Sequence, residues 1–477
     1  MKINLNKFKF NGENPTTSVI TQNTDNQLNT ELRQADNRRD FIKKASLGGL
    51  SLSLLFDDKP EQEVEFITQK VKRAGKPSDL KITDIKVAII TGFPIACPIL
   101  RIDTNQGISG YGEIRSGVST EYGVFLKSQL LGKNPCEVEK IFKSIKQFDG
   151  QNHAIGGIEM ALWDLAGKAY EVPAYQMLGG KFRDQIRIYG NIPKVKDPID
   201  FPKKIKNILD SGLTFLKMDL GIEFLANISG ALINADAWNA NNMKYPFLRT
   251  QITDKGLEIV ANHVGKVRET IGYDMPLAIN HFGYFDVNTA IRLGKVVDKY
   301  QLAWLEDLVP WQFTEQWKQI SDAIDTPTIT GKGIYLKEEF IKLINARAVD
   351  MIHPDLVSTG GLLETKKIGD YAQEHGVSMA MHFAGTPVSF MANIHCAAAT
   401  ENFAALEHHE MAIPWWEDLF TGEKPIFDKG FVKVPEKPGL GLELNEAAVK
   451  EHLKKGELYF APTEEWNKID SWDRDLS

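Results

Sequence analysis

Asp355 and His382 bracket the stretch DLVSTGGLLETKKIGDYAQEHGVSMAMH, which puts a carboxylate and an imidazole at the two polar ends of one supersecondary unit. The pattern reads as a strand end, a turn with Gly360 and Gly361, a helix from about Leu362 to Glu374, a stop at Gly376 and a second strand, VSMAMH. That is a βαβ unit, and the ends of neighbouring parallel strands are where α/β barrels do chemistry. An aspartate bonded to one ring nitrogen fixes the tautomer and raises the basicity of the other, so such a pair can move a proton near neutral pH. The alternative is a structural histidine and a solvated turn aspartate, and the other strand ends decide between the two.

After Ile186 the chain alternates strand and helix, with polar strand ends at Asn191, Asp219, Asn280, Glu306, Lys332, Asp355, His382 and Glu407. From Asn280 onward the intervals are 26, 26, 23, 27 and 25 residues, about one βα unit each, and eight such strands predict a closed parallel barrel. The longer interval before Asn280 carries an insertion over Gly221 to Lys255, rich in Asn, Ala and aromatics. Loops of that length above a barrel mouth are usually functional or disordered. Ahead of the barrel, KITDIKVAII and CPILRIDTNQGISGYGEIR read as short strands with turns at Asn105-Gln106-Gly107 and Gly110. Helices are expected around Gly123 to Leu131, around Glu137 to Lys146, and through HAIGGIEMALWDLAGKAY, where Ile158, Leu162, Leu165 and Ala166 recur at helical spacing.

The chain of 477 residues is 43% apolar and 25% charged with net charge −7. It can bury a large core, and its mild acidity argues against a nucleic-acid partner. No apolar run has membrane-spanning length. Cys97, Cys136 and Cys396 read as buried small hydrophobes, with a Cys97–Cys136 bridge conceivable only in an oxidising compartment. Phosphate-loop, dinucleotide and nucleophile-elbow patterns are absent from the sequence.

Residues 1–36 are rich in Asn, Thr and Gln, a disorder-like composition. NRRDFIKKASLGGLSLSLLF follows, with Arg38 and Arg39 ahead of a short apolar segment, Ala45 to Phe56. It resembles a bacterial twin-arginine export signal, which implies engagement of export machinery and a periplasmic or exported destination. An Arg pair before a surface helix is the plainer alternative. Residues 1–79 are therefore set apart from the fold as leader, signal and charged linker.

The ALWDLAGK run with Gly179-Gly180, the βα ladder, and the strand ends HPDLVSTGG, MAMHF and ALEHH together resemble the enolase superfamily, in its mandelate racemase and muconate lactonizing enzyme branch. The resemblance runs from about Leu80 to Leu453. It implies an α+β capping domain over 80–185, a modified (β/α)8 TIM barrel over 186–420, and a return toward the capping domain in 421–477.

It also implies roles. Asp355 and His382 match the acid/base dyad, and Glu407 matches an acid that donates a hydrogen bond to the developing enediolate. In FLKMD, Lys217 and Asp219 share a face; Lys217 matches a family lysine that can hold a substrate carboxylate, whereas Asp219 stands where a second lysine is frequent. His281, His408 and His409 fall at the same end and are candidates to touch substrate, while Trp415 and Trp416 read as packing. The family's Mg²⁺ takes one acid from each of three strands, because a hard dication wants oxygen ligands in octahedral geometry. Here those positions are Asn280, Glu306 and Lys332, so only Glu306 keeps its acid. An ammonium about 4 Å from a dication repels it by roughly 8 kcal/mol at an effective dielectric of 20, and deprotonating Lys332 at pH 7 costs about 4.6 kcal/mol. The expectation is that the Lys332 ammonium occupies the metal's place beside Glu306, and no cofactor is assigned.

The function expected is proton abstraction beside the carboxylate of a carbohydrate acid, as a dehydratase or as a racemase or epimerase. The alternative is a non-catalytic descendant that binds a sugar acid or a partner. A monomer and a homo-oligomer are both compatible with the sequence.

Overall fold

The computed structural model describes residues 76–93, 95–117, 124–149, 154–192, 205, 208–210, 212–235, 250–280, 283, 285–409 and 413–467, all within one compact unit that starts at Arg73. The Arg38-Arg39 signal and His281 lie outside the described residues. No helix among the described residues is long and apolar enough to cross a membrane.

Strands β1 (Ile82–Ile90), β2 (Cys97–Thr104) and β3 (Ser109–Glu113) form an antiparallel meander, as the alternating pattern and the Asn105-to-Gly107 turn require. Helix α1 (Val138–Asp149) and the buried α2 (Ile155–Tyr170) complete this layer. Gly110 and Gly112 let β3 lie directly on α2: a Cβ on Gly112 would stand 1.8 Å from the Gly157 carbonyl oxygen. The helix expected around Gly123 to Leu131 is shorter, breaking at Leu126 before Lys127–Leu130. All three cysteines are free thiols.

Eight parallel strands then close into a barrel: β4 (Gln185–Asn191), β5 (Leu216–Asp219), β6 (Leu277–Asn280), β7 (Trp304–Glu306), β8 (Thr328–Thr330), β9 (Met351–Ile352), β10 (Ser378–Met381) and β11 (Phe403–His408). Closure is made by β11 on β4, with Glu407 opposite Tyr189. The helices between them include α3 (Asp254–Ile271), α4 (Val287–Val297), α5 (Thr314–Ser321), α6 (Lys337–Asn345), α7 (Leu362–Glu374) and α8 (Pro387–Ala399). Thr253, Asp286 and Thr386 cap α3, α4 and α8 by accepting a backbone N–H from the first turn. Within the insertion, Leu232–Ile233 pairs with Gln251–Ile252, and 236–249 lie outside the described residues.

The barrel interior is built in layers. Tyr189, Phe215, Ala278, Trp304, Ile329, Ala380 and Ala405, with Met351 packed on them, form an apolar floor with one residue from each strand or, for Phe215, from the position just before β5. Successive strand residues alternate faces, so two positions further on each strand points into the mouth. Those positions are Asn191, Lys217, Asn280, Glu306, Gly331, His353, His382 and Glu407, so the floor fixes the register of the polar layer above it.

The C-terminal segment serves both parts. Phe431–Lys433 pairs antiparallel with β4, while Leu453 bridges to Ile90 and Lys454 N–H donates to the Ile89 carbonyl.

Candidate active site at the barrel mouth

Two capping-domain carboxylates hold the elements that carry the Asp355–His382 pair. Glu159 Oε2 and Oε1 accept the Leu362 and Leu363 N–H groups at 2.7 and 2.9 Å, at the start of α7, and Trp163 Nε1–H donates to Oε1. Glu113 Oε2 accepts from Thr386 N–H, Thr386 Oγ1 and Ser389 Oγ at the start of α8. Helix N-termini favour an anion there. Burial, the larger influence, pushes both carboxyls up to about 7 against those hydrogen bonds.

Asp355 caps a short turn by accepting the Ser358 N–H on Oδ1 at 2.9 Å. Its Oδ2 receives His382 Nδ1 at 2.6 Å and Arg115 Nη1 at 2.9 Å. Burial opposes ionisation, but the Arg115 guanidinium and the His382 hydrogen bond together hold this carboxyl well below the usual range. An ionised carboxylate only accepts, so His382 carries its proton on Nδ1 and turns Nε2 toward the mouth. Basicity near neutral pH was the expectation. The ring is instead pushed down to about 4, because burial outweighs Asp355 and Glu407.

The second cluster is ionic. Lys217, wholly buried on β5, bridges Glu306 Oε2 at 3.1 Å and Glu407 Oε1. Lys332 Nζ lies 2.7 Å from Glu306 Oε1, 2.8 Å from Asp307 Oδ2 and 3.4 Å from Asn280 Oδ1. Burial works against the Lys332 ammonium, but Asp307 and Glu306 raise its pKa. Burial likewise opposes Glu306 ionisation, and Lys217 and Lys332 override it. Glu306 therefore has an ammonium on each oxygen, and Asn280 turns Nδ2 toward Asp219 Oδ1 at 3.4 Å. These donors do not fit an octahedral Mg²⁺, which needs the oxygens that the two lysines occupy.

Lys217 is not presented to solvent, so a substrate carboxylate reaches it only by displacing Glu306 or Glu407. Asp219 sits at the rim, with its pKa raised by burial. Glu407, expected as a hydrogen-bond donor, is ionised: burial favours the neutral acid, but His409 and Lys217 hold it well below the carboxylate range. His408 points the other way, as alternation along β11 demands, and packs against Phe383, Phe390 and Trp416 with its pKa pushed down to about 3 by burial. It belongs to the wall behind the barrel, and substrate contact is removed from its roles. Trp415 stacks on His452, and Trp416 donates Nε1–H to the Gly385 carbonyl, so both tryptophans pack.

Sequence reasoning missed Arg115, His353 and Tyr189, and placed Asn191 at a strand end without giving it a role. His353 and Asn191 share the alternation that marks Lys217 and Glu407, and that signal could have found them. Arg115 arrives from the capping domain, and no local pattern connects it to Asp355.

Comparison with known proteins gives one direction throughout. Residues 67–179 match the mandelate racemase / muconate lactonizing enzyme N-terminal domain, and residues 202–448 match the enolase C-terminal domain-like family. The D-xylonate dehydratase of Haloferax volcanii is 33% identical over 399 residues, covering 81% of this chain and 92% of that protein. A D-galactonate dehydratase family member, RspA, of Pantoea ananatis is 28% identical over 78% of this chain and 93% of its own length. The crystal structure of a mandelate racemase/muconate lactonizing enzyme-like protein from Rubrobacter xylanophilus superposes with a TM-score of 0.71 at 28% identity, covering 80% of this chain and 100% of that one. An enolase superfamily member from Salmonella Typhimurium gives a TM-score of 0.67 at 27% identity over 78% and 98%.

Proposed function

This chain belongs to the mandelate racemase and muconate lactonizing enzyme family of the enolase superfamily, and on that premise we propose that it takes the proton beside the carboxylate of a carbohydrate acid, as a sugar-acid dehydratase. The single observation that carries the reading is the Asp355–His382 pair, joined at 2.6 Å at the end of adjacent strands with Nε2 facing the mouth. The curated relatives support the substrate class, since they are dehydratases of D-xylonate and D-galactonate by name.

In this reading His382 Nε2 accepts the proton from the carbon next to the substrate carboxylate, and Asp355 holds the ring and stabilises the imidazolium through Nδ1–H. An anionic substrate adds negative charge beside a ring pushed down to about 4, which favours the protonated form at the moment it is needed. The imidazolium then delivers that proton to the departing β-hydroxyl, which leaves as water. If His382 instead returns the proton to the same face, the substrate is regenerated; racemisation or epimerisation requires a proton delivered to the opposite face of that carbon. Lys332, with its side chain 19% exposed, is the cation the enediolate meets, and Lys217 keeps Glu306 and Glu407 charged behind it. No step passes through Mg²⁺.

One observation favours a second reading. Lys217 and Lys332 saturate Glu306, which suits a non-catalytic sugar-acid binder as well as a metal-free enzyme. Incubating the protein with aldonic and uronic acids in heavy water, and following dehydration and carbon-proton exchange by NMR, separates the two. Exchange or dehydration that vanishes in His382→Asn supports the enzyme. Binding of a sugar acid with no exchange in any member of the panel overturns it in favour of the binder.

We also propose that the chain is exported, on the strength of the RRDFIKKA string ahead of the apolar segment Ala45 to Phe56.

A further inference from the structure

Three imidazoles converge on one buried carboxylate. His353 Nε2 and His382 Nε2 lie 3.7 and 3.9 Å from Glu407 Oε2, and His409 Nε2 lies 2.8 Å from Oε1. Each ring is tied from behind by its other nitrogen: His353 Nδ1 is 2.8 Å from the Ala380 carbonyl, His382 Nδ1 is 2.6 Å from Asp355 Oδ2, and His409 Nδ1 is 2.6 Å from the Asn191 amide. A carbonyl and a carboxylate only accept, so His353 and His382 each carry a proton on Nδ1, which leaves Nε2 as the atom that can ligate. Among the described residues, buried His353 Nε2 has no hydrogen-bond partner, and neither has Asn191 Oδ1. In the metal-free protein His409 Nε2–H faces Glu407 Oε1; turning the Asn191 amide over lets Oδ1 accept from His409 Nδ1–H, which frees Nε2 for an ion that displaces its proton. Lone pairs aimed at a carboxylate repel it unless a cation stands between them. Imidazoles whose far nitrogen is held by a carboxylate, a carbonyl or an amide have the outer shell of metal-ligating histidines.

We propose that this side of the mouth binds one late first-row transition-metal dication, of the Zn²⁺ or Co²⁺ class, through His382 Nε2, His409 Nε2 and Glu407. The three ligand atoms lie within 4.8 Å of one another, a set that contracts onto an ion at ordinary metal–nitrogen distances of about 2.0–2.1 Å. Two imidazoles and one carboxylate select borderline metals over Mg²⁺, which separates this site from the three-strand position at Asn280, Glu306 and Lys332. Lys217, the nearest cation, sits on Glu407 Oε1, so the ion would take Oε2, the oxygen that His382 Nε2 faces, and Glu306 on the other side of Lys217 offsets part of its repulsion. His353 stands behind the site as a reserve imidazole. An ion on His382 Nε2 takes the lone pair that would receive a substrate proton, so metal occupancy and proton transfer exclude each other. The ligand geometry is the same whether or not the chain turns over a sugar acid, so the inference does not rest on the proposed function.

The test is titration of the purified full chain with Co²⁺, followed by its visible d–d absorption and competed with Zn²⁺. Bands that saturate at one equivalent are expected. His409→Ala should weaken binding about tenfold or more, by the scale of losses seen at metal sites, and His375→Ala, on an exposed turn, should leave it unchanged. Should His409→Ala not fold, ¹⁵N spectra of the parent replace it: Zn²⁺ should shift the Nε2 resonances of His382 and His409 and leave that of His375 in place. Absence of saturable bands, unchanged affinity in His409→Ala, or Zn²⁺ shifts confined to other histidines would each overturn the site. Because absorption and ¹⁵N shifts read the metal alone, its failure leaves the heavy-water result standing, and the reverse holds too.

Discussion

Lys217 and Lys332 hold opposite oxygens of Glu306, at 3.1 Å on Oε2 and 2.7 Å on Oε1. One lysine comes from a strand and one from the turn after a strand, on either side of the acid, and between them they use both sites at which a metal would be ligated. A buried carboxylate so placed depends on its ammonium partners, and losing one leaves it partly uncompensated.

Removing Lys332 tests that dependence. Lys332→Ala should destabilise the protein in urea by less than the roughly 3 to 5 kcal/mol of a fully stranded buried charge, because Lys217 stays on Oε2. Lys332→Glu with Asn280→Asp rebuilds three acids, on β6, on β7 and in the turn after β8. Calorimetry should then detect Mg²⁺ binding that the parent lacks, and the double variant should unfold at lower urea without the ion. Stoichiometric Mg²⁺ in the parent protein would show that the lysines do not stand in its place.

Arg115 should control the titration of His382. The guanidinium and the ring share Asp355 Oδ2, so Arg115→Met leaves the carboxylate less neutralised and the imidazolium better supported. NMR titration should find His382 near 4 in the parent and about one unit higher in the variant. An unmoved titration would mean that burial alone sets it.

The same ring gives a stability slope. Its folded pKa, about 4, lies below the unfolded value of about 6.5, so between them the unfolded chain binds the extra proton. Its contribution is complete above pH 6.5 and is lost as pH falls toward 4, by about 3 kcal/mol in all. His382→Asn should flatten that part of the profile measured by urea unfolding, leaving the similar slopes of His395 and His408; an unchanged profile would contradict the buried neutral ring.

Gly361 should tolerate no side chain. It sits at φ 101°, and a Cβ there would lie 1.9 Å from Glu159 Oε2, the oxygen that accepts the Leu362 N–H. Gly361→Ala should lose several kcal/mol of stability, a magnitude on the order of other strained or clashing core substitutions, and should loosen the Asp355 turn. Unfolding at the parent's urea midpoint would show that the capping contact is dispensable.

The proposed export would rest on Arg38 and Arg39. Changing both to Lys should retain the protein in the cytoplasm on cell fractionation, and an unchanged distribution would make the pair an accident of sequence.

Alternation and interval lengths determined the barrel, because strands that repeat every βα unit and bury both faces leave a readable trace in one dimension. They also placed Asp355, His382, Glu306 and Glu407 at one end, since strand direction is shared around a parallel barrel. His408 shows the limit: adjacent to Glu407 in the chain, it belongs to the opposite face, and only the register set by the Ala405 and Tyr189 floor decides which histidine of the pair enters the mouth. Charge state was decided in three dimensions as well. Whether Glu407 is an acid or a carboxylate depends on Lys217 and His409 beside it, and whether His382 is a strong or a weak base depends on its depth and on the Asp355 and Glu407 carboxylates that face it. Burial and long-range pairing are properties of the packed chain, and no spacing along the sequence encodes them.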